Sequence, residues 1–164
     1  MVTMSFLRTC GKVLPKRCRL VTSLGATVAL LLTLGLAGSA QAASGRTFVN
    51  LATGFCLDSN SKGEVYTLGC NGGPYQGWSL GSTAFNGVVT LRDQATGRCL
   101  DSNADRKVYT LGCNDGSYQK WTVNNGGFGT RTFRNLATGF CLDSNGGRKV
   151  YTLGCNDGSY QKWR

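Results

Sequence analysis

The sequence contains no histidine. That removes the commonest general base and the commonest zinc ligand in one stroke. None of its eight cysteines forms the paired C-x2-C spacing of a structural metal site. No metal, no cofactor and no histidine-based catalysis is expected. Carboxylates are scarce, with eight Asp and Glu in 164 residues, and no nucleophile sits beside an activating base. A clustered basic run is also missing, because Arg92, Arg98, Arg131 and Arg134 are dispersed. Nucleic acid is therefore not an expected partner, and a heparin binder would want more clustering. Outside the N-terminal segment no stretch shows a 3.6-residue apolar period, which argues against a helical fold.

What is present starts with a leader. Residues 1–42 carry Arg8, Lys12, Lys16, Arg17 and Arg19, no acidic residue, an apolar run from Leu20 to Ala37, and the small-x-small ending Ala40-Gln41-Ala42. This is the order of a secretory signal peptide. An uncleaved anchor is the other reading of that run, but Gly25, Gly35 and Gly38 interrupt it and the Ala-x-Ala ending favours cleavage. No Cys follows closely and no twin-Arg pair precedes, so the general secretion route is expected, with membrane contact only through the transient leader. Cleavage after Ala42 leaves 122 residues. Five of the 18 basic residues leave with the leader, so the mature chain keeps 13 against eight acidic, a balance of +5.

The mature chain is a repeat. Cys141–Trp163 reads CLDSNGGRKVYTLGCNDGSYQKW; Cys99–Trp121 matches it at 21 of 23 positions and Cys56–Trp78 at 16 of 23. The blocks begin 43 and 42 residues apart, a fixed period that signals repeat architecture. Cys10 and Cys18 fall in the leader, and the remaining six allow 15 pairings in principle. The repeat reduces these to three equivalent pairs, Cys56–Cys70, Cys99–Cys113 and Cys141–Cys155, each 14 residues apart. Disulfides suit a secreted chain. Each closes a loop of about 15 residues, worth roughly 3 kcal/mol in the chain-entropy account.

Each repeat reads as four short strands. In the first these are Arg46–Leu51, Phe55–Ser59, Val65–Cys70 and Gln76–Leu80, separated by turn signals at Ala52-Thr53-Gly54, Asn60–Gly63 and Asn71–Pro74. The pattern recurs from Val88 to Thr122 and from Thr132 onward, with Gly-rich joints at Gly81–Gly87 and Asn124–Gly129. Twelve regularly spaced strands predict an all-β sandwich or barrel, and threefold repetition favours a closed pseudo-threefold barrel. A unit of about 40 residues cannot bury its own apolar face, so three share one core. Leu57, Leu100 and Leu142, Val65, Val108 and Val150, and Trp78, Trp121 and Trp163 are the expected core.

Strand alternation then divides the block. Residues two apart share a face. Cys56 and Asp58 face one way and Leu57 the other; Tyr66, Leu68 and Cys70 share a face. Joining Cys56 to Cys70 brings Asp58, Tyr66 and Leu68 onto one surface, provided that no bulge shifts the parity. Asn71 and Tyr75, just beyond the second Cys, can reach it. A carboxylate beside a phenol and an aliphatic floor suits a neutral polyol. Each residue also has a structural reading. Asp58 suits a turn cap, Asn71 a turn with positive φ, Tyr66 and Tyr75 a half-buried core, and Gln76 the satisfaction of backbone groups beside Trp78. The set nevertheless recurs in all three blocks, and packing alone does not ask for a charge there three times.

Gln76-Gly77-Trp78, Gln119-Lys120-Trp121 and Gln161-Lys162-Trp163 are three Q-x-W motifs, each preceded by Cys-Leu-Asp. On these residues nearly all of the mature chain resembles the ricin B-type lectin family. Its L-D-S-N, V-Y-T-L and N-x-x-x-Y-Q-x-W stretches are most similar to the actinohivin-like mannose-binding group. The resemblance implies an all-β β-trefoil over 43–164, with repeats near 45–83, 84–126 and 127–164 and one sugar site in each. The first site would use Asp58, Tyr66, Leu68, Asn71 and Tyr75, the second Asp101, Tyr109, Leu111, Asn114 and Tyr118, and the third Asp143, Tyr151, Leu153, Asn156 and Tyr160. Gln76, Gln119 and Gln161 are secondary candidates, since the family uses that position for the fold and sometimes for the site. General ricin-type modules favour galactose or xylan and often carry an aromatic where Leu68, Leu111 and Leu153 stand, so the leucines favour mannose-type glycans.

The expectation is a secreted, multivalent, non-enzymatic lectin whose partners are glycans or glycoproteins of high-mannose type. One recurrent Asp per repeat does not make the carboxylate pair of glycoside hydrolysis, and no attached catalytic domain is expected. The alternatives are a module for galactose- or xylan-containing polysaccharide, or a non-lectin trefoil acting as protease inhibitor or heparin binder. An inhibitor would show one loop unlike its two counterparts, and none stands out. Site one is expected to bind differently, because Glu64, Gly72 and Pro74 replace the Lys, Asp and Ser of the other blocks.

Overall fold

Residues 45–164 are described by a computed structural model; the leader expected over 1–42 lies outside the described residues. The Trp of each block starts from sequence and ends at the centre of the molecule. Trp78, Trp121 and Trp163 are each 0% exposed, and each indole N–H donates to a backbone carbonyl 21 residues earlier, of Leu57, Leu100 and Leu142, at 3.1, 3.1 and 3.2 Å. A buried Trp removes about 200 Å² from water, roughly 5 kcal/mol of transfer free energy, provided that its one donor is satisfied. Leu57, Leu100, Leu142, Val65, Val108 and Val150 pack on the same cluster. Phe48, Leu91 and Phe133 complete it from equivalent positions of the three repeats, with Phe48 and Phe133 edge-to-face at 5.0 Å between ring centroids.

Ten strands surround this core: β1 (Cys56–Ser59), β2 (Val65–Leu68), β3 (Trp78–Ser82), β4 (Val88–Asp93), β5 (Cys99–Ser102), β6 (Val108–Leu111), β7 (Trp121–Asn125), β8 (Arg131–Asn135), β9 (Cys141–Ser144) and β10 (Val150–Leu153). All pairings are antiparallel: β1–β2, β5–β6 and β9–β10 form one hairpin per repeat, and β3–β4 and β7–β8 join successive repeats. The all-β, three-repeat trefoil is as expected. The strand count is not twelve. The expected strand Arg46–Leu51 makes only isolated bridges, Arg46 to Trp78, Val49 to Cys56 and Asn50 to Trp163, and the last strand reduces to Trp163. These two terminal segments pair with each other, with Val49 N–H donating to Arg164 O at 2.8 Å and Leu51 N–H to Lys162 O at 2.8 Å. The ladder that closes the barrel is therefore too short to register as a strand. Two boundaries also shift. The expected strand Val65–Cys70 ends at Leu68, and Gln76 belongs to a 3-10 turn, Pro74–Gln76, so that the next strand begins at Trp78.

The hairpin tips meet around the pseudo-threefold axis in a closed cycle. Thr67 N–H donates to Arg148 O at 3.0 Å, Thr110 N–H to Gly63 O at 2.8 Å and Thr152 N–H to Arg106 O at 3.0 Å, so each repeat donates to another. Side chains reinforce the cycle. Arg106 lies 5.1 Å over the Phe140 ring and Arg148 5.2 Å over the Phe55 ring, a cation–π contact between repeats. At the third junction the roles are exchanged: Gly63 stands in the position of those arginines, Arg98 in the position of the phenylalanines, and Arg98 donates to Ser61 O at 3.1 Å. Gly63 has φ +90° and a Cβ there would sit 2.7 Å from Thr110 O. Gly63→Ala is therefore expected to lower stability by more than about 1 kcal/mol, read as a drop in thermal midpoint. An unchanged midpoint would show that this junction does not hold the cap together.

Candidate functional site

Each candidate site is built on one hairpin and the loop that follows it. The register pairs Cys56 with Leu68 and Asp58 with Tyr66, and repeats as Cys99 with Leu111, Asp101 with Tyr109, Cys141 with Leu153 and Asp143 with Tyr151. No bulge interrupts these strands, so the parity argument holds and Asp, Tyr and Leu share the outer face. Disulfides join Cys56–Cys70, Cys99–Cys113 and Cys141–Cys155, each with a Cα–Cα distance of 5.1 Å. They fold the next loop back beside that face and bring Asn71, Asn114 and Asn156 and Tyr75, Tyr118 and Tyr160 towards it.

The carboxylates lie deep and the apolar groups stand up. Asp58, Asp101 and Asp143 are each 3% exposed, whereas Tyr75, Tyr118 and Tyr160 are exposed and Leu111 is 49% exposed. Leu68, Leu153, Tyr66, Tyr109 and Tyr151 are half-buried. The arrangement is an open dish with an acceptor at its base and aliphatic and aromatic sides. Acceptors at depth take hydroxyl protons, and the sides pack on C–H faces.

Gln76 holds the dish together. Its Oε1 accepts from Asn71 N–H at 2.9 Å, and its Nε2 donates to Asp58 Oδ2 at 2.7 Å and to Gly69 O at 3.0 Å. Gln161 repeats all three bonds, to Asn156 N–H at 2.9 Å, Asp143 Oδ2 at 2.8 Å and Gly154 O at 3.0 Å. Gln119 bonds Asn114 N–H at 2.9 Å and Gly112 O at 3.0 Å. All three glutamines are buried, so this position orients the carboxylate and the loop from beneath. The turn-cap reading of Asp58 gives way to the bond from Gln76. Asn71, Asn114 and Asn156 do act in a turn, accepting from Gly73, Gly116 and Gly158 N–H at 2.7, 2.8 and 2.8 Å. The positive φ falls one residue later than expected, on Gly72, Asp115 and Asp157.

A second set of residues supports the sites and was not foreseen. Asn135 Nδ2 donates to Tyr118 O and Asn50 Nδ2 to Tyr160 O, both at 2.7 Å, and both residues are buried. Each tethers the loop of another repeat. The equivalent residue of the remaining junction is Asp93, which makes no such tether and accepts from Ser59 Oγ at 2.9 Å and from Thr96. Pro74 occupies the first position of the Tyr75 loop's 3-10 turn and presets its φ. The only sequence sign of these tethers was the turn triplet Ala-Thr-Gly that follows Asn50 and Asn135. Asn50 and Tyr160 lie 110 positions apart, beyond the reach of any local pattern.

A broad concavity of about 1100 Å³ lies on the axis between the hairpin tips. Tyr66, Tyr109, Tyr151, Leu68 and Leu153 line it together with Val65, Val108 and Val150, whereas the three site carboxylates, Asn71 and Tyr75 do not. These tyrosines and leucines therefore border both the concavity and the outer face that carries the carboxylates. Burial pushes the Tyr66, Tyr109 and Tyr151 phenols above their ordinary 10.0, and the neighbouring Asp58, Asp101 and Asp143 carboxylates add to the rise, so all three remain neutral donors at physiological pH. Burial likewise raises Asp58 above its ordinary 3.8, opposed in part by the hydrogen bond from Gln76.

Fold and hairpin surfaces together define a β-trefoil whose three repeats present equivalent outer faces. The profile of the Ricin-type beta-trefoil lectin domain matches residues 43–163, and the chain belongs to that family, a carbohydrate-binding and non-catalytic domain. Solved structures share the fold. The designed 3-fold symmetric protein ThreeFoil superposes with a TM-score of 0.67 at 22% identity, covering 72% of this chain and 94% of that one. An exo-beta-1,3-galactanase from Clostridium thermocellum gives 0.67 at 20% identity over 74% of this chain, which corresponds to 30% of the enzyme. The Haemophilus ducreyi cytolethal distending toxin gives 0.66 at 13% identity over 76% of this chain and 83% of that one.

Two outcomes follow from the network. Gln161→Leu removes three hydrogen bonds and strands buried partners, so the thermal midpoint should fall by an amount equivalent to about 2–4 kcal/mol. Retained stability would contradict the role given to this amide. An ionised carboxylate is a stronger acceptor than the neutral acid, and burial raises the Asp58 pKa, so any affinity that rests on this carboxylate should be present above that raised value and weaken as pH falls through it. In a protein carrying Asp101→Asn and Asp143→Asn, calorimetric affinity should decay through a midpoint above 3.8. A midpoint at or below that value would count against it.

Proposed function

We propose that this protein is a secreted, multivalent lectin for mannose-type glycans, with one sugar site in each repeat. Asp58, Asp101 and Asp143 accept from two sugar hydroxyls, Asn71, Asn114 and Asn156 add polar contacts at the loop edge, and Tyr66, Tyr109 and Tyr151 shape and cover the pocket. Leu68, Leu111 and Leu153 and the exposed Tyr75, Tyr118 and Tyr160 pack on the ring. The observation that carries this reading is the threefold recurrence of a buried carboxylate under exposed apolar walls, in a family whose domain binds carbohydrate. A carboxylate costs several kcal/mol to bury, and one is retained here in each of the three repeats. Leucine where related modules carry an aromatic supports mannose over galactose. The three disulfides and the N-terminal leader support export.

Single open sites bind weakly, and three linked ones raise avidity by roughly 10²–10⁴ when the ligand spans them. A glycan array should show selective retention of mannose-terminated glycans, and calorimetry with a monosaccharide should give three sites. Asp58→Asn, Asp101→Asn and Asp143→Asn together should abolish retention while the thermal midpoint stays measurable. Retention of galactosides or xylans instead would move the protein to polysaccharide recognition. Binding to none of the three sugars would end the lectin reading, and binding lost steeply with salt would indicate an acidic polysaccharide.

A further inference from the structure

Two clefts adjoin the candidate sites of repeats two and three. One, of about 330 Å³, is lined by Arg92, Asp115, Ser79, Thr90, Gln119 and the Cys99–Cys113 bridge. The other, of about 320 Å³, is lined by the equivalent Arg134, Asp157, Thr132, Gln161 and the Cys141–Cys155 bridge, with Asn124. Each cleft abuts its dish across the disulfide. Asp115 and Asp157 directly follow Asn114 and Asn156, and the buried Gln119 and Gln161 that support the dish also line the cleft.

The arginine of each cleft is anchored. Arg92 Nε donates to Gly97 O at 2.7 Å and Arg134 Nε to Gly139 O at 2.9 Å, which fixes each guanidinium plane. Asp115 and Asp157 adopt φ +57° and +56°, a left-handed conformation that Gly accepts at lower cost, and repeat one does place Gly72 there at +69°. Repeat one also lacks the arginine, having Val49 instead. The pair is thus present in both of the later repeats and absent as a pair from the first. An arginine and an aspartate lining one cleft offer donors and acceptors together, which suits a neutral diol that can satisfy both. An anionic sugar would meet Asp115 or Asp157, and a cationic one would meet Arg92 or Arg134.

We propose that these clefts are second subsites, each taking the neutral hexose adjacent to the one held in the dish. Repeats two and three then read a disaccharide, and repeat one reads a single sugar. This rests on the dishes being sugar sites, and the experiment separates the two claims. The whole mature protein is titrated with methyl α-mannoside and mannobiose, and in parallel with methyl β-galactoside and a β-1,3-linked galactobiose. For whichever sugar binds, the disaccharide should be preferred by about tenfold, the equivalent of ~1.4 kcal/mol. Replacing the pairs by the residues of repeat one (Arg92→Val, Asp115→Gly, Arg134→Val, Asp157→Gly) should abolish that preference and leave monosaccharide affinity unchanged. The reverse transplant, Val49→Arg with Gly72→Asp in a protein carrying Asp101→Asn and Asp143→Asn, should create the preference at site one. It decides the matter if the fourfold variant does not fold. Monosaccharide binding with no disaccharide preference, or a preference that survives the fourfold change, overturns the subsites alone. No binding of either monosaccharide overturns the dishes as well.

Discussion

The side-chain amide of Gln76, and its counterparts Gln119 and Gln161, bonds to segments that the chain would otherwise leave unconnected. One edge accepts from the loop after the second Cys, and the other donates to the strand end before it. In repeats one and three the same Nε2 also donates to the site carboxylate. An amide can do this because it carries a donor and an acceptor on one rigid plane. A carboxylate at that position would repel Asp58, and a hydroxyl could not span the distance. The disulfide brings loop and hairpin together, and the amide then fixes the height at which the Asp sits. Loop order, strand termination and candidate chemistry therefore depend on one buried residue, two positions before a buried Trp.

That dependence explains why the block is legible as a unit. Strand alternation separated Asp58, Tyr66 and Leu68 from Leu57 and Val65 without reference to any fold, and succeeded because the hairpins are four residues long and free of bulges. The equivalent spacing of the cysteines gave their pairing for the same reason. What stayed hidden was anything that needed a partner in another repeat. Asn50 and Asn135 read as ordinary turn residues until the fold brings them beneath Tyr160 and Tyr118. Phe48, Leu91 and Phe133 lie in segments whose alternation is short and ambiguous. The segment Arg46–Leu51 reads as a strand by composition, yet it retains only bridges, because its partners are divided among Trp78, Cys56 and Trp163.

The departures from threefold symmetry come in coupled pairs, which is how packing permits them. Where Gly63 replaces an arginine, Arg98 replaces the phenylalanine that would have received it, and the contact between repeats is preserved with its charge moved to the other side. Asp93 stands where the other repeats have a tethering asparagine, and Pro74 stiffens the loop that lost its tether, while Ser59, which the other repeats share as Ser102 and Ser144, donates to Asp93. Val49 and Gly72 likewise stand together where the other repeats have Arg and Asp. Paired substitution keeps the two sides of each contact matched. The cysteines, Asp58, Gln76 and Trp78 have no such second solution, because each already bonds to elements fixed by the core. The first repeat can therefore diverge at its rim and junctions while its dish keeps the same parts as the other two.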